Sequence, residues 1–182
     1  MSSLLKILRL KTVLAAILLL YVSLPIHAET FPSNTKYEVC FTPGGDCTSM
    51  IVDEINKANK SIYLQAYSFT SKPIAQAITD AKRKGIDIKV ILDKSQVKHN
   101  KYSSAKYLTN QKVPVWVDYR PAIAHNKIVI IDNNTVITGS FNFTKAAQDK
   151  NAENVLIIHD AILANQYTQN LVKRQSMSLK LT

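Results

Sequence analysis

Apolar positions recur along this chain at two spacings. Residues 37–41, 61–69, 86–93, 113–118 and 154–159 alternate or run apolar and predict strands, with 86–93 apolar enough to lie centrally in a sheet. Between them the spacing changes to three or four. Thr48 or Ser49 caps a predicted helix reaching about residue 59, with Ile51, Ile55 and Ala58 as its buried stripe. Ser71 and Pro73 open a second helix, which Ile74, Ala77, Ile78 and Ala81 line on one side and Gly85 ends. Shorter helical stretches follow near 103–109 and after Thr144, and an amphipathic helix closes the chain. Strands alternating with helices predict an α/β fold, a mixed sheet flanked by helices on both faces in a sandwich, as a single domain over residues 29–182.

The segment from His125 to Asn142 departs from that alternation. It reads H-N-K-I-V-I-I-D-N-N-T-V-I-T-G-S-F-N, two apolar runs about Asn133-Asn134. A two-residue turn there predicts a hairpin in which His125 faces Asn142, Lys127 faces Ser140 and Asp132 faces Thr135. His125, Lys127, Ser140 and Asn142 then share one face at one end. Asp132 lies roughly 17 Å along the strand from Lys127 at ~3.3 Å per residue. It is therefore assigned to the turn, where its carboxylate caps backbone amides.

The beginning of the chain has a different composition. Lys6, Arg9 and Lys11 precede an apolar run over 13–22 and then Pro25, Ile26, His27 and Ala28, the order of a secretory signal peptide cut after Ala28. The run is shorter than the ~20 residues of a membrane-spanning helix. Removing the leader takes away three positive charges and no negative one, so the formal charge falls from +10 to +7. A basic, exported domain, periplasmic or secreted, suits a polyanionic partner. Cys40 and Cys47 bracket F-T-P-G-G-D, and in an oxidising compartment they are expected to form a disulfide.

The hairpin also holds the candidate chemistry. A neutral imidazole attacks phosphorus and an imidazolium protonates a leaving oxygen, because histidine titrates near pH 6.5. A lone histidine is more often structural, but His125 has Lys127 two residues on to neutralise a phosphate oxygen. Ser140 and Asn142 offer further donors, and Gly139 allows close backbone approach. Phe141 and Phe143 point away and are read as core. Glu153, before an apolar strand, is the candidate carboxylate to hold the His125 tautomer. Metal-ligand types are scattered, with no H-x-x-x-H and no carboxylate cluster, so neither metal nor cofactor is expected.

Taken together, His125, Lys127, Asp132, Gly139, Ser140 and Asn142 resemble the HKD signature of the phospholipase D superfamily, with no substitution at a motif position. A-Y-S-F-T at 66–70, the K-R-K-G-I-D-I-K-V run at 82–90 and G-S-F-N-F-T-K-A-A at 139–147 resemble that superfamily's small secreted bacterial endonucleases. The resemblance covers about residues 37–175. It implies a metal-free covalent phosphohistidine pathway and two such motifs per active site. The chain holds one, so it also implies a homodimer sharing the site across a two-fold axis. Glu153 matches the glutamate that hydrogen-bonds the histidine, and Asp132 the motif aspartate that serves structure.

The motif sets the reaction and leaves the substrate open. Lys94, Lys98, His99, Lys101 and Lys106, with Tyr102 and Tyr107 interleaved, form a basic stretch suited to a sugar–phosphate backbone and stacked bases. The plainer alternative is a solvated loop and helix face. The expected function is a non-specific endonuclease acting on DNA and possibly RNA. The alternative is a phospholipase D or phosphatidyl transferase, which calls for an apolar acyl-chain channel. A non-catalytic nucleic-acid-binding protein would call for a broken motif.

Overall fold

A computed structural model describes residues 28–98 and 103–181, with the side chain of Lys98 excepted. Its strands are β1 (Lys36–Thr42), β2 (Ser61–Ala66), β3 (Asp87–Asp93), β4 (Val115–Asp118), β5 (Lys127–Ile131), β6 (Thr135–Gly139), β7 (Glu153–His159) and β8 (Leu179–Lys180). The helices are α1 (Cys47–Asn56), α2 (Lys72–Arg83), α3 (Ser95–Lys98), α4 (Ser104–Asn110), α5 (Lys145–Asp149) and α6 (Ala161–Ser176). All eight strands join one mixed sheet in the order β1-β7-β6-β5-β2-β3-β4-β8. Pro32–Thr182 form one unit.

The sheet buries both faces, as the unbroken apolar runs of β3 and β5 require. Ile51 and Ile55 of α1, Ile74 and Ile78 of α2 and Leu108 of α4 pack with Leu64, Val90, Val129 and Ile157 on one face. On the other, Ala164 and Leu171 of α6 cover Ile91, Ile128, Ile130 and Val136. The expected mixed sheet with helices on both faces is the fold observed.

Local chemistry moves several boundaries. Asp46, not Thr48 or Ser49, caps α1: its carboxylate accepts from Ser49 N at 3.0 Å and Ser49 Oγ at 2.7 Å. β8 was not foreseen, since two exposed residues carry no periodicity. Cys40 and Cys47 do form a disulfide, with Cα atoms 5.5 Å apart. Closing so short a loop contributes roughly 2–3 kcal/mol by restricting the unfolded chain. It also fits folding outside a reducing cytoplasm. Among the described residues no helix is long and apolar enough to cross a membrane.

The hairpin is offset by one residue from its expected register. Asp132 and Asn133 take left-handed backbone at φ 54° and 51°, and Asn134 N donates to Ile131 O at 3.0 Å. The turn is therefore Asp132-Asn133, conformations that Asp and Asn tolerate. Asn134 is left over, and Ile131 pairs with Thr135, Ile130 with Val136 and Val129 with Ile137. Lys127 consequently does not face Ser140, nor Asp132 Thr135, and the hairpin ladder does not carry His125 opposite Asn142. Asp132 does cap backbone amides, but those leading into β2. Its carboxylate accepts from Asn59 N at 2.9 Å and from Lys60 N and Ser61 N at 2.8 Å each.

Burial alone would raise the Asp132 pKa, but the three amide bonds and the Lys60 charge outweigh it and hold the carboxyl below its ordinary 3.8. A depressed acid contributes its stability above the unfolded value and loses it as pH falls through the folded one. Asp132→Asn should therefore cost about 1–3 kcal/mol at neutral pH. The gap from wild type should close well below pH 3.8 in urea denaturation. A gap independent of pH would place the effect in the turn's backbone instead.

Candidate active site

The ends of β2, β3, β4 and β6 and the starts of β5 and β7 meet at one edge of the sheet, where most of the expected residues lie. Lys127 opens β5 opposite Ala66 and is only 7 % exposed. A buried ammonium needs partners, and Nζ donates to His125 O at 3.0 Å while lying 3.1 Å from both ring nitrogens of His125. Equal distances mean that it lies on neither nitrogen's lone-pair axis. The imidazole itself is exposed. Its ring leans on Tyr67, centroids 4.6 Å apart, and Lys127 Nζ sits 5.3 Å from the Tyr67 centroid. Tyr67 thus forms one wall for both residues.

Ser140 is tied to β7 through Asn154. Asn154 N and Nδ2 donate to Ser140 Oγ at 3.0 and 3.3 Å, and Ser140 N donates to Asn154 O at 3.2 Å. Gly139 is obligatory at this crossing. At φ 148°, a Cβ there would lie 2.2 Å from Asn154 O. Asn142 Oδ1 is buried without a hydrogen-bond partner among the described residues. Phe141 and Phe143 are core, as expected. The Phe143 ring meets Phe69 edge-on at 5.9 Å, and its carbonyl accepts from Thr70 N and Ser71 N at 2.9 Å each. The hairpin exit is thereby sewn to the loop after β2.

The hydrogen bond expected from Glu153 to His125 is not formed in this conformation. The Glu153 carboxylate accepts from Asn151 Nδ2 at 3.0 Å, and its charge acts on Lys127. Burial pulls the Lys127 pKa below its ordinary 10.5, and Glu153 partly restores it.

Two buried carboxylates absent from the expectations brace the approach to His125. Asp93 accepts from Ser95 N at 2.8 Å and from Ala124 N at 2.7 Å, fixing the residue just before the histidine. Asp118, its register partner in β4, is paired with Arg174 and accepts from Arg120 N at 3.1 Å. The readable signal was an aspartate closing each of two apolar strands, K-V-I-L-D and V-W-V-D. Tyr67 carried no such signal.

The basic stretch divides. Lys94 is half-buried and its Nζ donates to Pro121 O at 3.0 Å, so it ties down the same loop. The Lys98 side chain, His99, Lys101 and Tyr102 lie outside the described residues. Lys106 is exposed, and the Tyr107 hydroxyl donates to Gln76 Oε1 at 2.7 Å. Tyr107 lines a cleft of about 520 Å³ together with Thr70, Lys72, Ala75, Gln76, Ser103 and Ser104. Among the described residues, one group of metal-ligand types converges within 4.8 Å, Glu38, Glu54 and His159. It lies by the far end of β7 from Glu153, where His159 pairs with Lys36.

Comparison with known proteins agrees with this geometry. The family described as cardiolipin synthase, PLD-like domain, matches residues 51–174. The chain belongs to the phospholipase D superfamily. It is 46 % identical over 144 residues, 79 % of this chain and 71 % of the relative, to a protein of Rickettsia bellii named phospholipase D. Its fold is similar to that of Nuc from Salmonella typhimurium, a phospholipase D family member, with a TM-score of 0.76, 35 % identity, and 81 % and 98 % of the two chains covered. NucT from Helicobacter pylori gives a TM-score of 0.74 at 26 % identity, covering 81 % and 99 %. The chain is a phosphodiesterase-type enzyme of that superfamily.

If a charged Lys127 neutralises phosphate, activity should fall as pH rises through its lowered pKa, before 10.5. Glu153→Gln removes the influence that raises this value. It should move the alkaline limb of kcat/KM to lower pH with the fold intact. An unmoved limb would separate Glu153 from Lys127.

Proposed function

We propose that this enzyme is a metal-independent, non-specific endonuclease that works through a phosphohistidine and shares its active site across a homodimer. The observation that carries the reading is the exposed His125 ring set directly against the buried Lys127 ammonium. A phosphodiester approaching that ring meets a fixed positive charge within hydrogen-bond reach, where low dielectric strengthens the attraction. A His125 nitrogen attacks phosphorus and forms the P–N bond as the P–O bond breaks. His125 of the partner subunit gives its proton to the departing oxygen. That same imidazole then takes a proton from water, whose oxygen attacks phosphorus and displaces the first histidine. Lys127 of each copy, with Ser140 and Asn142, stabilises the charge on the five-coordinate transition state. Glu153 acts on the charge of Lys127 and, through it, on the imidazolium formed in each half-reaction.

Two further points support the reading. The chain carries one complete H-x-K-x4-D motif, since His99-Asn100-Lys101 repeats only the H-x-K and has Lys106 in the aspartate's place, so two motif histidines at one phosphorus need two copies. Asn142 Oδ1 is a buried acceptor without a donor among the described residues, and such a group costs about 1–3 kcal/mol unless paired. By contrast, the cleft beside Lys72 and Tyr107 has a mainly apolar lining surface, which suits acyl chains better than a sugar–phosphate chain. The resemblance to the small secreted endonucleases and the similarity to Nuc and NucT point to the nuclease reading. Residues 1–28 are read as a cleaved leader, and the Cys40–Cys47 disulfide suits a periplasmic or secreted product. The competing reading, phospholipid head-group hydrolysis or transfer, is favoured by the name of the Rickettsia relative.

A side-by-side assay with EDTA in excess separates them. Plasmid DNA should be degraded and phosphatidylcholine left intact; the reverse pattern selects the lipid reading, and complete inhibition by EDTA removes the phosphohistidine. Assembly is tested by mixing. Equal amounts of His125→Ala and wild-type chains, allowed to exchange, should leave each wild-type chain with roughly half its activity, because half of them sit in dead heterodimers. Full retained activity would mean each chain works alone.

A further inference from the structure

Three elements converge on one point at the end of β7 away from Glu153. Glu38 of β1, Glu54 of α1 and His159, the last residue of β7, each bring a metal-ligand atom within 4.8 Å of the other two. Glu38 pairs with Ile157, a core residue beneath α1, so it stands on the side of the edge strand that the helix covers. His159, two residues beyond Ile157, shares that face. The Cys40–Cys47 disulfide ties β1 to the start of α1, and Glu54 lies about two helical turns further along. Thr135 Oγ1 holds His159 Nδ1 at 3.0 Å, which fixes the ring and presents Nε2, and Nε2 stands 3.6 Å from Glu38 Oε1. Glu54 is buried, and its carboxylate is bonded by Lys57, whose own side chain is 65 % exposed. The Lys57 pKa is raised above its ordinary 10.5 by the hydrogen bond and charge of Glu54 and then by the charge of Glu38. Both carboxylates therefore act on a single, mostly solvated ammonium.

We propose that Glu38, Glu54 and His159 bind a zinc ion that clamps the edge strand β1 to α1 and β7. Spacing, charge and ligand type each point there. Ligand atoms around a tetrahedral zinc stand about 3.4 Å apart, given bonds of ~2.1 Å. The 3.6 Å between His159 Nε2 and Glu38 Oε1 is close to that already. A neutral Nε2 and a carboxylate oxygen facing each other both offer lone pairs, so something positive belongs between them. Zinc fills that place without a proton on His159. It also balances two carboxylates, which the one Lys57 ammonium does not, and Lys57 on its exposed stem is free to swing into water. An imidazole among the ligands selects against calcium and magnesium, which take oxygen ligands. The Thr135 contact on Nδ1 is of the outer-shell kind that orients metal-bound histidines. The three ligands come from distant parts of the chain, so no spacing motif announces them. The site is separate from the phosphohistidine chemistry and stands or falls independently of it.

Calorimetric titration of zinc into EDTA-stripped, dialysed enzyme, together with thermal melts followed by circular dichroism, tests the site. Zinc at about 100-fold above its dissociation constant should raise the wild-type Tm by roughly 5–10 °C. Magnesium and calcium should not reproduce the shift. His159→Ala, Glu38→Gln and Thr135→Val should each weaken zinc binding roughly 10–100-fold and shrink the shift accordingly. Should His159→Ala fail to fold, Glu38→Gln, at an exposed position, decides. A wild type that binds no zinc would overturn the site. So would zinc binding and a melting shift that Glu38→Gln and His159→Ala both keep, since the ion would then lie elsewhere, at His125 for example. Stripped enzyme should still cleave plasmid DNA, and cleavage that requires added zinc would overturn the clamp by moving the metal into the reaction.

Discussion

β5 is held at both ends by carboxylates that bond across the sheet, one from its own turn and one from β3, and the site depends on that double anchorage. At one end Asp132 gathers the amides of residues 59–61 and locks the hairpin to the start of β2. Near the other, Asp93 grips Ala124 N, immediately before His125. Between them Lys127, Val129 and Ile131 keep a register in which Lys127 is buried beside the exposed imidazole. A slip of one residue would turn every side chain of β5 to the opposite face and carry Lys127 away.

The same arrangement explains why an ammonium is tolerated where bulk water is largely excluded. The carbonyl and ring of His125, the face of Tyr67 and the nearby Glu153 charge together replace part of its hydration. The replacement is incomplete, as the lowered Lys127 pKa records. An incompletely compensated cation at an open rim attracts a phosphate more strongly than a solvated surface lysine. Site and packing thus obey one electrostatic requirement.

The motif's aspartate has a purely mechanical place in this scheme. Asp132 sits at the opposite end of β5 from Lys127 and touches backbone only, so it acts on the reaction through register. Gly139 is similar. Its missing side chain lets β6 cross the Asn154 carbonyl and delivers Ser140 to the edge.

Periodicity and composition by themselves determined the mixed α/β class, the strand and helix sequence, the cysteine pair and the residues able to handle phosphate. These follow from local rules: apolar spacing, turn chemistry and the intrinsic reactivity of imidazole and ammonium. The tertiary structure decided the register of the hairpin, because the left-handed pair Asp132-Asn133 is stabilised by amides about seventy residues away in the chain. It also decided that Ser140 is delivered by Asn154, that Lys94 braces a loop, and that Tyr67, Asp93 and Asp118 belong to the site's support. Long-range hydrogen bonds and burial set those roles, and neither quantity is a property of any short stretch of residues.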